Sequence, residues 1–219
     1  MVESITLIGQ AVAIIAACWA IISGVGAWKR EFIGKRRVEL AEATLASFFE
    51  VKDAISMIRS PVSSSTEGST RVKGDNESPE ETELLNRGHI VFERYESNKD
   101  AFLKFDTLQY KFMAAYGQDS EDIFKETRKI IHSIFFSARQ LATYYWKRQG
   151  RIKMSDKEFK KHLKEMQAHE GVFWDTWSDD DVIRVKLSTV QKKLDNIVAP
   201  TFEEPIGLYS LLTKRFGRD

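Results

Sequence analysis

From Ser4 to Trp28 the chain reads SITLIGQAVAIIAACWAIISGVGAW, 25 residues without a formal charge. An α-helix rises about 1.5 Å per residue, so such a run exceeds the roughly 30 Å hydrocarbon core of a bilayer. Three structures can accept a segment of this kind: a membrane span, a cleaved export signal, or a deeply buried helix of a soluble protein. Export signals carry a basic first region and an apolar stretch of only about 7–15 residues, whereas Glu3 is the only charged side chain ahead of this run. A buried core helix seldom ends on a basic cluster as dense as the one found here. The sequence therefore predicts a membrane anchor over residues 1–28.

The flanks give the predicted span a direction. Trp28 stands where an interfacial aromatic side chain belongs, and Lys29, Arg30, Lys35, Arg36 and Arg37 come directly after it. Cytoplasmic flanks carry the excess of Lys and Arg, so the expected topology is an external amino terminus and a cytoplasmic carboxyl-terminal domain. Ile15-Ala16-Ala17-Cys18 has the outline of a lipoprotein cleavage site. Trp19, Ala20, Ile21 and Ile22 continue the apolar run where a lipoprotein would turn polar, so Cys18 is expected to be an inert thiol facing lipid. Gly9, Ala13, Ala16, Ala20 and Gly24 fall at intervals of four, three, four and four. They place small side chains along one stripe, where two helix backbones can approach closely in lipid. Gln10 lies beside the stripe and is suited either to a hydrogen bond across an interface or to the headgroup region. Lipid and a second copy of the chain are thus the first expected partners.

Composition bounds the part of the chain beyond the anchor. A chain of 219 residues has room for one domain plus an appendage. Its 33 Lys and Arg balance 32 Asp and Glu, which removes a whole-chain electrostatic case for nucleic acid. A single cysteine excludes an internal disulfide and a cysteine-based zinc cluster. Only 4 Pro and 12 Gly argue against a turn-rich β-fold. The expected class is all-α, with the anchor continuing into an antiparallel helical bundle.

Helical periodicity divides the remainder. Residues 29–59 read as a basic juxtamembrane segment and first bundle helix, with Ala41, Leu45, Phe48, Phe49, Ile55 and Ile58 on one face. Residues 60–78, rich in Ser and Gly and free of aromatics, read as a disordered loop. The bundle proper is expected over 79–200. Ser78-Pro79-Glu80-Glu81 is a capping box with proline at the first helical position, and it predicts a long helix ending at Gly117. A third helix is expected from about Ser120 to Gln149, with Ile123, Thr127, Ile130, Ile134, Ala138, Leu141 and Tyr145 buried. Ser155 and Glu158 repeat the capping spacing and open a fourth helix carrying Phe159, Leu163 and Met166. After an aromatic connector, Ser178 or Asp179 caps a last helix through Ile183, Leu187, Val190, Leu194 and Ile197, closed by Pro200. The tail, 201–219, contains an apolar patch from Ile206 to Leu212 suited to docking.

Chemistry-bearing patterns are sparse. The chain has no Walker-type loop, GxGxxG, GxSxG or HExxH. His162, Glu165 and His169 share one helix face and could ligate zinc or iron, but they sit among Lys157, Lys160, Lys161 and Lys164, which suits a solvated surface. No metal and no cofactor are expected. Arg128 and His132, one turn apart, invite comparison with small helical ribonucleases of the HEPN class, in which Arg and His act on the phosphodiester. That class spaces the two residues more widely than Lys129, Ile130 and Ile131 allow. Lys147, Arg148, Arg151 and Lys153 extend the lysine helix into a second basic region able to meet anionic lipid, RNA or an acidic partner. Glu170, Asp175 and Asp179 to Asp181 form an acidic counterpart.

The run AWKREFIGKRRVELAE resembles small bacterial single-pass membrane proteins with an amino-terminal anchor and a helical cytoplasmic domain. The resemblance implies a bacterial inner membrane and transfers no site residue. The function expected from all of this is a non-enzymatic, membrane-anchored interaction or scaffold protein, self-associating through its span and presenting its helices to a cytoplasmic protein. Two alternatives stand beside it: an oligomeric pore-forming or defence-type effector, and a metal-dependent or RNA-cleaving helical domain.

Overall fold

The computed structural model describes residues 2–202; for residues 2–9, 11, 27 and 30 it describes backbone alone. The apolar patch Ile206 to Leu212 lies outside the described residues. The architecture is all-helical, with no strand among the described residues. The helices are α1 (Val2–Ile58), α2 (Pro79–Tyr116), α3 (Glu121–Gln140), α4 (Trp146–Arg148), α5 (Asp156–Phe173) and α6 (Val182–Phe202). A 3-10 turn, Gln118–Ser120, precedes α3, and a π-helical turn, Leu141–Tyr145, joins α3 to α4. The chain divides into two units, with boundaries between Glu42 and Ala43 and between Pro200 and Thr201. The larger unit, Ala43–Pro200, holds the packed core.

Within that unit α1 buries Thr44, Phe48, Val51, Ile55 and Ile58 at alternating spacings of four and three. This period brings one stripe of a helix against its neighbours. Phe49, expected on the buried face, is exposed instead: it lies about 100° around the helix from Phe48, and Val51 takes the place on the stripe. Phe105 of α2 is the meeting point of three helices. Its ring centroid is 5.9 Å from Phe48 of α1 and 4.5 Å from Phe124 of α3. Burying an aromatic ring of this size contributes about 2 kcal/mol.

The α2 and α3 partners pair in opposite sequence order, Phe112 and Phe105 with Phe124, Phe92 and Tyr95 with Phe135, so these two helices run antiparallel. Gly88 of α2 makes this approach close. A Cβ there would lie 2.5 Å from the Ala142 Cβ and 3.1 Å from the Ala138 carbonyl oxygen. Facing this contact, the helix widens into the π-helical turn, which the apolar periodicity did not predict. All seven positions of the predicted α3 stripe, from Ile123 to Tyr145, are buried.

The local start signals are realised as hydrogen bonds. In the first capping box the Ser78 hydroxyl accepts from the Glu81 N–H at 3.2 Å, and the Glu81 carboxylate accepts from the Ser78 N–H at 3.3 Å. Ser155 and Glu158 form the same pair at the start of α5. The start of α6 differs from expectation. Its cap is Asp181, not Ser178 or Asp179, with Oδ1 accepting from the Ile183 and Arg184 N–H groups at 2.9 and 3.0 Å. Only the residue next to the first helical turn can reach both donors. At the other end α6 passes through Pro200 to Phe202; the fixed φ of proline is compatible with helix, and it sits close enough to the end to remove little of the ladder. On α5, Phe159 is exposed whereas His162, Met166 and Phe173 are buried.

Residues 60–78 contain no helix, and they carry more order than their composition predicts. Glu93 of α2 accepts from the Gly68 and Thr70 N–H groups at 2.6 and 2.8 Å, and Arg94 holds Glu67 through two bonds of 2.8 Å. Gly68 has φ +85°, and a Cβ there would collide with the Asn86 carbonyl. Glu77, bonded by Arg71 and by the Gly74 N–H, is drawn down to a pKa of about 2.

Overpacking the α2–α3 contact should be costly. Gly88→Val is expected to lower stability by about 1–3 kcal/mol, read as a reduced thermal midpoint by circular dichroism, while a valine at Gly171, where an added Cβ meets nothing within 4 Å, should cost less.

Candidate functional site

The amino-terminal part of α1 is the one helix among the described residues that is long and apolar enough to cross a membrane by length and composition. Its large apolar side chains are uncovered: Val12, Ile14, Ile15, Trp19, Ile21, Ile22 and Val25 are each at least 60% exposed. Trp28 is exposed too, its ring stacked on Phe32 at 5.9 Å. Lys29, Lys35, Arg36 and Arg37 lie on the exposed helix surface beyond it, and Arg30 is described as helical backbone alone. Ala13, Ala16, Ala20 and Gly24 are exposed along their shared stripe, and an added Cβ at Gly24 meets nothing within 4 Å; Gly9 is described as backbone alone. Cys18 is a free, exposed thiol.

The larger unit places the other candidate residues in structural roles. Arg128 donates to Asp106 and to Gln109 of α2, each at 2.8 Å, while His132 is exposed. The pair is thereby divided between a helix contact and solvent. The His162 face of α5 is divided: Lys157, Lys160, Lys161, Lys164 and Glu165 are exposed as expected, while His162 is buried and His169 half-buried. Tyr145 packs beside both histidines, at 5.4 Å from His162 and 5.1 Å from His169. The Ser137 hydroxyl lies 3.1 Å from His169 Nδ1, and the Tyr145 hydroxyl donates to Glu165 at 3.3 Å. Burial holds the His169 imidazole below its ordinary pKa, which favours the neutral ring. No cluster of three His, Cys, Asp or Glu able to hold a metal ion occurs among the described residues.

The acidic stretch serves a junction that the sequence did not reveal. Arg59, 1% exposed at the end of α1, donates through Nη1 and Nη2 to the two carboxylate oxygens of Asp181 at 2.8 Å. The same guanidinium donates to the carbonyls of Gly171, Val172 and Trp174 at 2.9, 2.8 and 2.7 Å. These carbonyls end α5, where helical partners run out and the dipole favours a cation. Asp181 meanwhile caps α6 and accepts from Thr176 N and Oγ1 at 3.2 and 3.1 Å. Burial alone would raise the Asp181 carboxyl, but the bonds from Arg59, the Arg184 N–H and the Thr176 N–H hold it well below the usual range. Asp175 completes the knot: it accepts from Trp177 N at 2.8 Å and from Arg184 Nε at 3.1 Å, and its N–H donates to the Arg59 carbonyl at 2.7 Å. The signals were weak, an arginine before Ser-Pro and one of three consecutive aspartates.

No family model, curated protein or solved structure matches this chain.

Removing one partner leaves a buried charge alone, so Asp181→Asn or Arg59→Met is expected to cost about 3–5 kcal/mol, and the apolar pair Arg59→Met/Asp181→Leu should recover part of it. Because the folded pKa of Asp181 is depressed, its contribution is complete above the unfolded aspartate value near pH 4 and falls away as the pH drops toward the folded value. Urea midpoints between about pH 7 and pH 2 should therefore decline less steeply for Asp181→Asn than for the wild type.

Proposed function

We propose that this protein is a membrane-anchored helical interaction protein: a single transmembrane helix, formed by the amino-terminal part of α1, carries an up-and-down antiparallel bundle in the cytoplasm. One observation carries the reading. Val12, Ile14, Ile15, Trp19, Ile21, Ile22 and Val25 stand uncovered on one uncharged helical stretch, and a continuous apolar surface of that size calls for lipid or protein around it. The basic residues after Trp28 favour lipid, with the carboxyl-terminal side inside the cell. The resemblance to bacterial single-pass proteins supports an inner-membrane location.

Self-association through Gly9, Ala13, Ala16, Ala20 and Gly24 belongs to the same proposal, because close backbone approach is the principal attraction between helices in lipid. A non-enzymatic role is supported by the uses found for the polar residues of the larger unit. Arg128 holds α2, Glu165 and His169 hold the π-turn and α3, and Asp175 and Asp181 hold the junction at Arg59. The helices would then present their outer surface to a cytoplasmic protein.

Two measurements test this. The full-length protein should pellet with membranes and resist carbonate extraction; its recovery in a detergent-free high-speed supernatant overturns the anchor. In-membrane crosslinking should give an oligomer band for the wild type that falls several-fold in Ala16→Leu/Ala20→Leu/Gly24→Leu, and monomer alone in both proteins overturns the association. Ion leakage on induced expression would turn the reading toward a pore.

A further inference from the structure

Beside α4 and α5 lies a cavity of about 240 Å³ lined in part by three residues of the second basic region. Arg148, Lys153, Lys161 and His162 line it, with Tyr144, Ile152 and Met154 as its less polar wall. Four buried side-chain polar atoms lack a hydrogen-bond partner among the described residues, and two of them, Arg148 Nε and His162 Nε2, belong to residues lining this one cavity. His162 is only 6% exposed. Buried polar nitrogens left without a hydrogen-bond partner are costly, and native proteins nearly always satisfy them. Their coincidence in one basic cavity points to a hydrogen-bonding partner supplied from outside the chain.

The charges around the cavity decide what kind. Its two carboxylates are already engaged. Glu158 Oε2 accepts from Ser155 N and Oγ at 2.9 and 2.7 Å, and these bonds hold the Glu158 carboxyl below its ordinary pKa. Glu165 accepts from the Tyr145 hydroxyl at 3.3 Å and stands 3.9 Å from Lys161. Arg148 Nη1 donates to the Tyr144 hydroxyl at 2.6 Å, with the guanidinium over the Tyr144 ring at 4.5 Å, so the fork is held in place while Nε stays unpaired. Lys153 pairs with no carboxylate among the described residues. A fixed guanidinium, an imidazole nitrogen, the ammonium group of Lys153 and that of Lys161, which is shared loosely with Glu165, suit an anion with several acceptor oxygens on one centre.

We propose that this cavity binds a phosphoryl group, with Arg148 Nε and His162 Nε2 donating to its oxygens and Lys153 and Lys161 balancing its charge. The wall of Tyr144, Ile152 and Met154 receives whatever organic group the phosphate carries. A soluble phosphate and the headgroup of an anionic lipid share this chemistry.

The test is calorimetric titration of the full-length protein in neutral detergent with three probes: inorganic phosphate, dioctanoyl phosphatidic acid, and dioctanoyl phosphatidylcholine as the control for acyl chains. Saturable binding of phosphate, of phosphatidic acid, or of both in excess of phosphatidylcholine supports the site and identifies the source. Arg148→Gln should abolish it, and Lys153→Gln/Lys161→Gln, whose side chains are outside the core, should weaken it at least tenfold with an unchanged thermal midpoint. Absence of binding to either phosphate probe overturns the proposal, and so does binding that the lysine pair and Arg148→Gln leave unaltered.

Discussion

Three helix ends converge on the guanidinium of Arg59. It completes the carbonyls that α5 leaves unbonded at Gly171, Val172 and Trp174, and it neutralises the aspartate that opens α6. A helix end buried without such partners would leave several backbone groups unsatisfied. One planar, permanently charged group with donors on two sides meets carbonyls and a carboxylate at once, which a lysine could not do. The connector between α5 and α6 is short and mostly exposed, and it is tied to this point through its two buried residues, Asp175 and Asp181. Trp177, in the left-handed region at φ +54°, is held there by Asp175, whose carboxylate accepts from its N–H. The interaction specifies how the last two helices meet the first.

A second arginine closes the other face of the same helix end. Arg94 of α2 donates to the carbonyls of Ile58 and Ser60 at 3.3 and 2.6 Å while gripping Glu67. The end of α1 is thus fastened from α2 as well as from the α5–α6 connector. Between these ties the core combines aliphatic side chains with a run of aromatic rings, in which Phe105 lies between Phe48 and Phe124. The polar ties join the helix ends, and aliphatic and aromatic side chains together supply the apolar burial between them. The basic cavity beside α4 stands apart from this economy, because Arg148 Nε and His162 Nε2 are buried there without a partner among the described residues.

Much of the helical plan was legible in the chain. Ser78 and Ser155 each precede a glutamate by three residues, and both form the reciprocal bonds that this spacing predicts. The stripe from Ile123 to Tyr145 was readable because one helix face is buried along its whole length. Phe49 and Phe159 misled because an aromatic side chain beside a stripe looks like part of it; a shift of one residue turns a side chain by about 100°. On α5 the lysines and Glu165 are solvated as their composition suggests, whereas His162 and His169 turn toward Tyr145, which lies in a distant turn that the helix's own sequence does not show.

By itself the sequence determined the features that depend on neighbours within a turn or two: helix starts, amphipathic stripes, the uncharged run before Trp28 and the basic residues behind it. Such features are set by local hydrogen bonds and periodic side-chain placement, which the order of residues contains directly. Only the tertiary structure decided that Arg59 finds Asp181, that Gly88 admits Ala142, and that Arg148 and His162 line one cavity. Those pairings join residues far apart in the chain. They depend on the angle and register at which helices pack, and no local pattern specifies either.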